Sequence, residues 1–575
     1  MPVRLAMPSP DAGVHRILPR LDPRHGRRPS GLPSARRFTH HPGGDMTIRN
    51  PAKGRALTTA IALAAALVLA ACGGGTTGGG ASGPLVDTAG APASPTGTLR
   101  FAAWQETPSM DPARTTTQNG ALIFPEYDTL TAVDGNFDPK PWLATSWSQP
   151  DPRTWEFKLR TDVTFHDGSK FDAETVKLNL DRARKVTGGP YTNIYAPIAS
   201  VKVVDTATVD VSFSEPQPDF PYSMSTVAGA MVSPKAIKDG TDLTRTAAGS
   251  GGWIWQKDAH KEGAEHVYKA NPNYWNKAAV RAQTIDVKII QEDNARLNAV
   301  QTGQIDVMGT LQPGQMQPAQ AAGLRVLSDF TFTGTFLIMD RGGKKVPAFA
   351  KPQVRQAIGL LLDRDAYNKA LLSGKGDAKS GGFAAPGSRW YDASLDGLNK
   401  PDIAKAKQLL AQAGYPNGFT FEVGNAPVIR QMNETIAQLL KEGGITMKIT
   451  DVADGQYTAE VRKGRFPAGY FVPTSIDPYQ WWSRTISNNG IYNSFGLKDL
   501  ADLESVYDKA RAMTDDDARK PLISRLQKET VERGVAFPLS QNPRAAALTA
   551  SVHASQQPIF APEDIAPRPY FLWTK

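Results

Sequence analysis

The chain of 575 residues contains a single cysteine, Cys72, so no disulfide can form within one molecule. Its fold must therefore be held together by packing and hydrogen bonds alone. The 504 residues from Cys72 to the end are enough to bury a large apolar core without covalent crosslinks. At roughly 150 residues per domain, they predict about three structural units.

The segment before Cys72 has the layout of an export signal. A basic stretch, 49–55, precedes the apolar run 56–71, which ends in Leu69-Ala70-Ala71-Cys72. This ending resembles the lipobox of bacterial lipoproteins, and the resemblance implies that cleavage leaves a lipidated Cys72 as the new N-terminus. The alternative is a transmembrane helix, but a run of 16 residues is shorter than the roughly 20 that span a bilayer.

The true start of the protein is either Met1 or Met46. Residues 1–45 are rich in Arg, Pro and His and show no apolar periodicity. Translation from Met46 gives an ordinary lipoprotein signal peptide, 46–71, and leaves 1–45 as a doubtful extension. Translation from Met1 adds a disordered extension before that signal.

Most of the net charge also lies before Cys72. That segment holds 11 Lys and Arg against 3 Asp, and it supplies +8 of the formal net charge of +9. The remaining 54 basic and 53 acidic residues nearly cancel. We therefore expect no binding of nucleic acid, which needs an excess of clustered positive charge.

A flexible linker is predicted between Cys72 and the folded body. Residues 72–97 are almost all Gly, Pro, Ala, Ser and Thr, and such a segment cannot bury enough apolar surface to fold. The folded part is expected to begin with a strand at Thr98, where apolar and polar residues start to alternate.

The stretch 141–177 carries the most specific local pattern. Its segment 155–160, WEFKLR, alternates apolar and charged residues and predicts a half-buried strand. His166-Asp167-Gly168 supplies a turn in which glycine permits a positive φ. Asp172 is then a predicted N-cap for a helix over 173–184.

This stretch resembles the family 5 extracellular solute-binding proteins of bacterial ABC importers, which include peptide, nickel and oligosaccharide binders. The shared pattern is P-x-L-A-x-S-W, then F-x-L-R-x-x-V-x-F-H-D-G, then A-x-x-V. Later segments match the same family in order, so the resemblance runs from about Leu99 to the end. The later matches are Asn271–Trp275, Leu297–Val307, Val354–Ile358 and Ala404–Tyr415.

The resemblance implies an α/β fold of the periplasmic-binding-protein type, with two lobes around a cleft and an extra subdomain on lobe I. By analogy, lobe I is made of residues 98–133, 232–330 and 541–575. The subdomain then spans 134–231, and lobe II spans 331–540. Strand-like runs such as 282–290 and helical runs such as 401–413 agree with α/β packing.

The sequence offers no convincing catalytic or metal site. His260, Glu262, Glu265 and His266 suggest a metal cluster, but their position between two strand-like runs favours a polar hairpin tip. The sequence also lacks a Gly-x-Ser-x-Gly elbow and a Walker phosphate loop. We therefore expect no enzyme activity, no cofactor and no bound metal.

Two ligand-binding segments are carried over from the resemblance. The first follows Ser109-Met110-Asp111-Pro112, where hydroxyl and amide side chains suit a neutral polar ligand. The second lies on both sides of the family's Asp-Pro turn. Its aromatic side chains can stack on a flat ligand, or they can belong to the core of lobe II. The predicted ligand-binding residues are Thr115, Thr116, Thr117, Gln118, Gly469, Tyr470, Phe471 and Trp481.

The second segment departs from the peptide binders of the family. They place an acidic residue here for the α-amino group of the peptide, whereas this chain has Val472, Pro473 and Thr474. A buried ammonium without a carboxylate costs several kcal/mol. Ordinary free-amino peptides are therefore doubtful ligands, and a blocked peptide, a glycan or a nickel complex remains an alternative.

The implied function is solute capture for an ABC importer. We expect a monomer, lipid-anchored on the extracytoplasmic face of the cell membrane, that takes a peptide-like or other small polar solute to a permease driven by a separate ATPase. The alternative from another class is a surface sensor or adhesin that uses the same fold without transport.

Replacing the thiol of Cys72 tests the anchor. Cys72→Ser removes the atom that would carry the lipid, so we expect the protein to leave the membrane fraction while solute binding stays intact. Fractionation of cells followed by blotting measures this, with the linker change Ser82→Ala as the control. A Cys72→Ser variant that stays in the membrane fraction would show that the anchor lies elsewhere.

Overall fold

The computed structural model describes residues 90–398, 400–453, 456–472, 478–554 and 567–574. The predicted signal peptide 46–71 and Cys72 lie outside the described residues. Within the described ranges, no helix is both long and apolar enough to cross a membrane.

The strands are given in chain order. They are β1 (Thr96–Ala103), β2 (Thr131–Val133), β3 (Pro139–Pro141), β4 (Ala144–Asp151), β5 (Thr154–Leu159), β6 (Ile198–Asp205), β7 (Thr208–Phe213), β8 (Trp253–Trp255), β9 (Glu265–Ala270), β10 (Ala282–Ile289), β11 (Val307–Met308), β12 (Arg325–Ile338), β13 (Thr420–Asn425), β14 (Thr446–Asp451), β15 (Ala468–Phe471), β16 (Ala536–Leu548), β17 (Val552–Ala554) and β18 (Leu572–Thr574).

The α-helices follow the same order. They are α1 (Gly120–Ile123), α2 (Ala173–Ala183), α3 (Thr192–Tyr195), α4 (Phe220–Ser223), α5 (Pro234–Lys238), α6 (Asp293–Gln301), α7 (Pro313–Ala321), α8 (Pro352–Leu361), α9 (Arg364–Leu372), α10 (Ile403–Gln412), α11 (Arg430–Lys441), α12 (Tyr457–Arg462), α13 (Pro478–Thr485), α14 (Ala501–Arg511) and α15 (Asp516–Glu532).

One mixed sheet of ten strands organises the fold, in the order β14-β13-β15-β12-β16-β11-β1-β10-β9-β8. We call β8, β9, β10, β1 and β11 the first half of this sheet, and β13, β14 and β15 the second half. In the first half β1 runs parallel to both β10 and β11. In the second half β13 runs parallel to both β14 and β15.

The two halves are joined by the long antiparallel pair β12–β16, which we call the central ribbon. One end of the ribbon pairs with β11 at Ala547 and Leu548. The other end pairs with β15 over residues 335–338. In the stretch between these attachments, β12 and β16 pair with each other and with no other named strand of the described chain.

Separate cores lie on the two sides of the ribbon. The first core packs against β1 and β10 and extends over a smaller antiparallel sheet, in the order β4-β5-β7-β6, through residues such as Phe157 and Val211. The second half contributes two clusters, one around Ile358 and Phe421 and one around Trp482 and Leu503.

The local predictions for the stretch 141–177 are confirmed. The predicted half-buried strand is β5, where Trp155, Phe157 and Leu159 point inward and the charged residues between them do not. The predicted helix is α2, and its N-cap Asp172 accepts a hydrogen bond from the amide of Thr175 at 2.8 Å. This bond satisfies one of the amides that a helix start leaves without a partner.

The predicted linker 72–97 is too long at its C-terminal end. The first strand begins at Thr96, and the amide of Thr96 donates a hydrogen bond to the carbonyl of Arg281 at 2.9 Å. The pairing with β10 therefore recruits two residues that composition alone assigns to a flexible segment.

Two buried carboxylates hold the turns of the first half in place. The first is Glu126, which accepts hydrogen bonds from the amides of Gly249 and Trp255. It also pairs with His166 of the predicted turn, at 2.8 Å from Nδ1. The Nε2 atom of His166 meets the carbonyl oxygen of Gly251 at 2.9 Å. Because both ring nitrogens face acceptors, this geometry favours the doubly protonated imidazolium form of His166.

The second buried carboxylate is Asp128, which accepts four side-chain hydrogen bonds. Its donors are Trp142, Ser250, Tyr274 and Trp275, at distances between 2.7 and 3.2 Å. Burial still raises the pKa of Asp128 above its usual value, although each of these hydrogen bonds lowers it. Ser250 is therefore a structural donor.

The charge of His166 predicts a pH dependence of stability. Burial alone would lower the pKa of His166, but the charge and hydrogen bond of Glu126 raise it overall. A raised pKa in the folded state gives stability that is complete below the unfolded value near 6.5 and is lost as pH rises through the folded value. His166→Gln is expected to cost about 1.5–3 kcal/mol at pH 6, and less at higher pH.

Urea unfolding of both proteins between pH 6 and 9 measures this difference. The matched control is His553→Gln, because His553 stacks on Trp573 but has no ion pair in the described part of the chain. A deficit for His166→Gln that stayed constant across this pH range would contradict the imidazolium assignment.

Candidate functional site

The strand directions locate the candidate site over the middle of the central ribbon. Ligands of open α/β sheets bind at the carboxyl ends of parallel strands. In the first half, β11 runs antiparallel to β16 from Leu548 toward Ala547, so its carboxyl end points to the ribbon middle. In the second half, β15 ends at Phe471, opposite Thr335, and also points to the ribbon middle.

The ribbon middle is irregular and polar. Its pairing shifts register between Phe330 and Phe332 and again at Gly334. Arg544 donates two hydrogen bonds to Asp329 across the ribbon, at 2.9 and 2.7 Å. The two bulges interrupt the hydrogen-bond ladder, and no named strand of the described chain supports this segment on either side, so fewer hydrogen bonds resist its bending.

Position 334 requires a glycine because Tyr470 approaches it closely. A Cβ atom at position 334 would lie 2.6 Å from the hydroxyl oxygen of Tyr470. That hydroxyl also accepts a hydrogen bond from Tyr367 at 3.1 Å. The predicted ligand residue Tyr470 is therefore fully buried beneath the ribbon, where its hydroxyl contacts protein groups.

In the first half, the residues that follow β1 form a polar network with the loop 115–119. Gln105 donates to the side-chain oxygen of Asn119 at 3.1 Å, and Asn119 donates to the hydroxyl of Thr115 at 2.9 Å. Thr115 in turn lies 3.0 Å from the hydroxyl of Thr107. Asn119, which sequence reasoning did not select, is the residue that links the loop to the end of β1.

The four predicted residues of this loop are placed differently from one another. Thr115 and Thr117 are buried, Thr116 is partly buried and Gln118 is exposed. Sequence alone did not separate them, because all four are polar and the loop has no periodicity. Their contact with a ligand stays a prediction.

Trp104 stands at the carboxyl end of β1 with an unsatisfied donor. Its indole nitrogen is buried and has no hydrogen-bond partner in the described part of the chain, although its ring is only partly buried. An unpaired buried donor costs roughly 1–3 kcal/mol. A ligand oxygen at this nitrogen would remove that cost.

In the second half, the predicted residues Gly469, Tyr470 and Phe471 form β15 and are buried. Phe471 packs on Tyr492, with ring centroids 4.4 Å apart. Trp481 is also buried and stacks on Phe383 at 3.7 Å, and its indole nitrogen lacks a partner among the described residues. The segment 473–477, which contains Thr474, lies outside the described residues.

The carboxyl ends of β13, β14 and β15 also carry exposed apolar residues. Val428 follows β13 and is 81% exposed, and Val472 follows β15 and is 37% exposed. At the end of β14, Asp451 accepts hydrogen bonds from Arg430 at 2.5 Å and from Asn425 at 2.7 Å. The ends of these three strands therefore carry two exposed apolar side chains and one ion pair.

The predicted polar hairpin between His260 and His266 exists, because β8 and β9 pair antiparallel. His266, however, belongs to β9, is buried, and lies 2.7 Å from a carboxylate oxygen of Glu106. Burial opposes the charge of Glu106, but His266 and two backbone amides lower its pKa to about 2. Among the described residues, no group of three His, Cys, Asp or Glu side chains is placed to hold a metal ion.

Comparison with known proteins identifies the family. A model of "Bacterial extracellular solute-binding proteins, family 5 Middle" matches residues 138–493, which is more than half of the chain. A curated relative, the glutathione-binding protein GsiB of Salmonella paratyphi A, is 29% identical over 351 residues. That alignment covers 60% of this chain and 67% of the relative.

Solved structures show the same fold. The ABC transporter substrate-binding protein CtaP from Listeria monocytogenes superposes with a TM-score of 0.71 at 19% identity, over 84% of this chain and 99% of CtaP. DppA from Helicobacter pylori, solved in complex with the peptide STSA, gives 0.66 at 22%, over 83% and 98%. The chain thus has the periplasmic-binding-protein fold, and it belongs to the family 5 bacterial extracellular solute-binding proteins.

Proposed function

We propose that this solute-binding protein of an ABC importer captures a small peptide-like or other polar solute over the central ribbon and delivers it to a membrane permease. We further propose that it works as a monomer, tethered to the extracytoplasmic face of the membrane through a lipid on Cys72. No catalytic step is part of this proposal.

The observation that carries the proposal is the convergence of strand ends on the ribbon. Parallel strands from both halves of the sheet direct their carboxyl ends toward the same two-stranded segment. Two rigid halves joined by a bendable segment can enclose a solute with little internal rearrangement. Solute contacts with both halves would then stabilise the closed arrangement.

In this proposal the two halves of the sheet are the two lobes, and the ribbon is the hinge. The boundaries predicted from the sequence place lobe I at 98–133, 232–330 and 541–575, the subdomain at 134–231 and lobe II at 331–540. The cut points at 330 and 541 fall inside the ribbon, where β12 and β16 change from one half to the other.

The chemistry of the site favours a solute with hydrogen-bond acceptors and an apolar part. Trp104 and Trp481 each present a buried indole nitrogen without a partner among the described residues, and such a donor suits a carbonyl or carboxylate oxygen. Val428 and Val472 offer apolar contact. Both features are present in glutathione, for which the relative GsiB is named, and in the peptide of the DppA complex.

A titration panel tests the class of solute. Isothermal titration compares solutes with and without a free amine. The panel consists of glutathione, the tetrapeptide STSA and the same peptide with an acetylated N-terminus. Because Thr474 replaces the acid expected for an α-amino group, acetylation is expected to leave affinity unchanged or to improve it. A loss of tenfold or more on acetylation, about 1.4 kcal/mol, would mean that another carboxylate binds the amine.

Removing one donor tests the site itself. Trp104→Phe keeps the aromatic ring but deletes the indole N–H, so we expect the tightest-binding member of the panel to lose about 5- to 20-fold in affinity. The thermal unfolding temperature should fall only by the cost of the smaller ring, because the deleted donor has no partner within the described protein.

The matched control is Trp573→Phe. Trp573 also has a buried indole nitrogen without a partner among the described residues, but it lies in β18, away from the carboxyl ends of the parallel strands. Equal losses of affinity in both variants would contradict a specific role for Trp104.

A further inference from the structure

A second set of contacts connects the two sides of the molecule away from the ribbon. The segment 214–223 leaves β7 of the smaller sheet and ends in α4, and its Phe220 is buried in the first core. Through charged and polar side chains, this segment contacts the helices α13, α14 and α15 on the side of the second half of the sheet.

The centre of these contacts is Asp219, which is only 5% exposed. Its carboxylate lies 3.1 Å from Arg389 and 3.9 Å from Arg519. Both arginines also pair with Asp516 at the start of α15. The carboxylate of the segment 214–223 therefore completes a cluster of two arginines and two aspartates, in which Asp219 and Arg519 are buried and Asp516 faces solvent.

Trp390 fixes the two arginines in position. The guanidinium carbon of Arg389 lies 4.7 Å from the centre of the Trp390 ring, and that of Arg519 lies 5.0 Å from it. Trp390 is itself buried in the core of the second half. The positive charge that receives Asp219 is thus pre-arranged by packing within one side of the molecule.

Two further contacts flank this cluster. Glu215 pairs with Arg511, the last residue of α14, at 2.9 Å. Ser223 lies 3.4 Å from the side-chain nitrogen of Gln480 in α13, the helix that follows the segment after β15. All three contacts come from one short segment and meet three different elements of the second half.

We propose that Glu215 and Asp219, together with Arg389, Arg511 and Arg519, form an ionic latch that holds the two lobes closed. The hinge ribbon lies elsewhere, so bending it open would separate these charges and return them to water. The latch makes closure depend on ionic strength, because salt screens the half-exposed Glu215–Arg511 pair more than the pairs of the buried Asp219. The inference rests on the two-lobed arrangement of the proposed function and does not depend on the identity of the solute.

A distance measurement in solution tests the latch. Cys72 is the only cysteine, so C72S gives a full-length chain to which spin labels can be attached at two chosen sites. V204C on β6 and I403C at the start of α10 place one label on each side, and both positions are exposed. Pulsed electron paramagnetic resonance then reports the distribution of label distances without any solute.

Asp219→Asn keeps the shape of the side chain and removes its charge. We expect the ratio of the short-distance population to the long-distance population to fall by about tenfold or more, because the buried Arg519 and the partly buried Arg389 lose a shared counter-charge. Raising the salt from about 0.05 to 1 M should lower the same ratio in the parent chain, and less so in Glu215→Gln.

Two controls separate a latch from a folding defect. Asp502→Asn removes an exposed carboxylate that pairs with Arg533 at 2.5 Å inside the second half, and it should leave the distances unchanged. The double variant Glu215→Lys with Arg511→Glu reverses the flanking pair and should restore the short distance that either single change weakens. Thermal unfolding confirms that each variant is folded.

The latch is overturned if the parent chain shows the long distance alone, or if Asp219→Asn leaves the distribution unchanged at both salt concentrations. Neither result would bear on solute binding, which the titration panel measures separately. Failure of the latch can therefore be distinguished from failure of the proposed solute binding.

Discussion

The structure around the first half of the sheet depends on two buried carboxylates, Glu126 and Asp128, which lie two residues apart in the sequence. A buried carboxylate is stable only when hydrogen bonds or an opposite charge replace its lost water. Glu126 takes an imidazolium and two amides, and Asp128 takes four side-chain donors. Their partners are spread from Trp142 to Trp275, so one short stretch fixes the positions of several distant turns.

These contacts explain the sequence motifs by which the chain resembles its family. The histidine of the His-Asp-Gly turn is the counter-charge of Glu126, and the tyrosine and tryptophan of the Asn-Pro-Asn-Tyr-Trp turn donate to Asp128. The glycines around Ser250 let the Gly249 amide reach the Glu126 carboxylate and the Ser250 hydroxyl reach Asp128. A Cβ at Gly249 or Gly251 would lie under 3.0 Å from the backbone of Glu126. These two motifs thus belong to the polar network around Glu126 and Asp128.

The sequence predicted local structure well where the residues of a single strand or helix determine it. The alternation of β5 and the Asp172 cap of α2 are properties of adjacent residues, and the family motifs led to the fold class. The burial of Tyr470 and Trp481 depends on Gly334 and Phe383, which lie over 90 residues away, and no local pattern encodes those contacts. The same holds for His266, whose partner Glu106 belongs to another strand end. The candidate site and the domain boundaries therefore remain predictions.

The position of β1 has a mechanical consequence for any tether that precedes it. β1 is an inner strand, paired with β10 along its whole length and with β11 near its end. A pull on the chain before Thr96 along the strand axis would load the hydrogen bonds with β10 in shear and all at once. A strand at an edge, or one pulled sideways, would instead lose one bond at a time. A tether before Thr96 would therefore pull on a strand whose hydrogen bonds resist together.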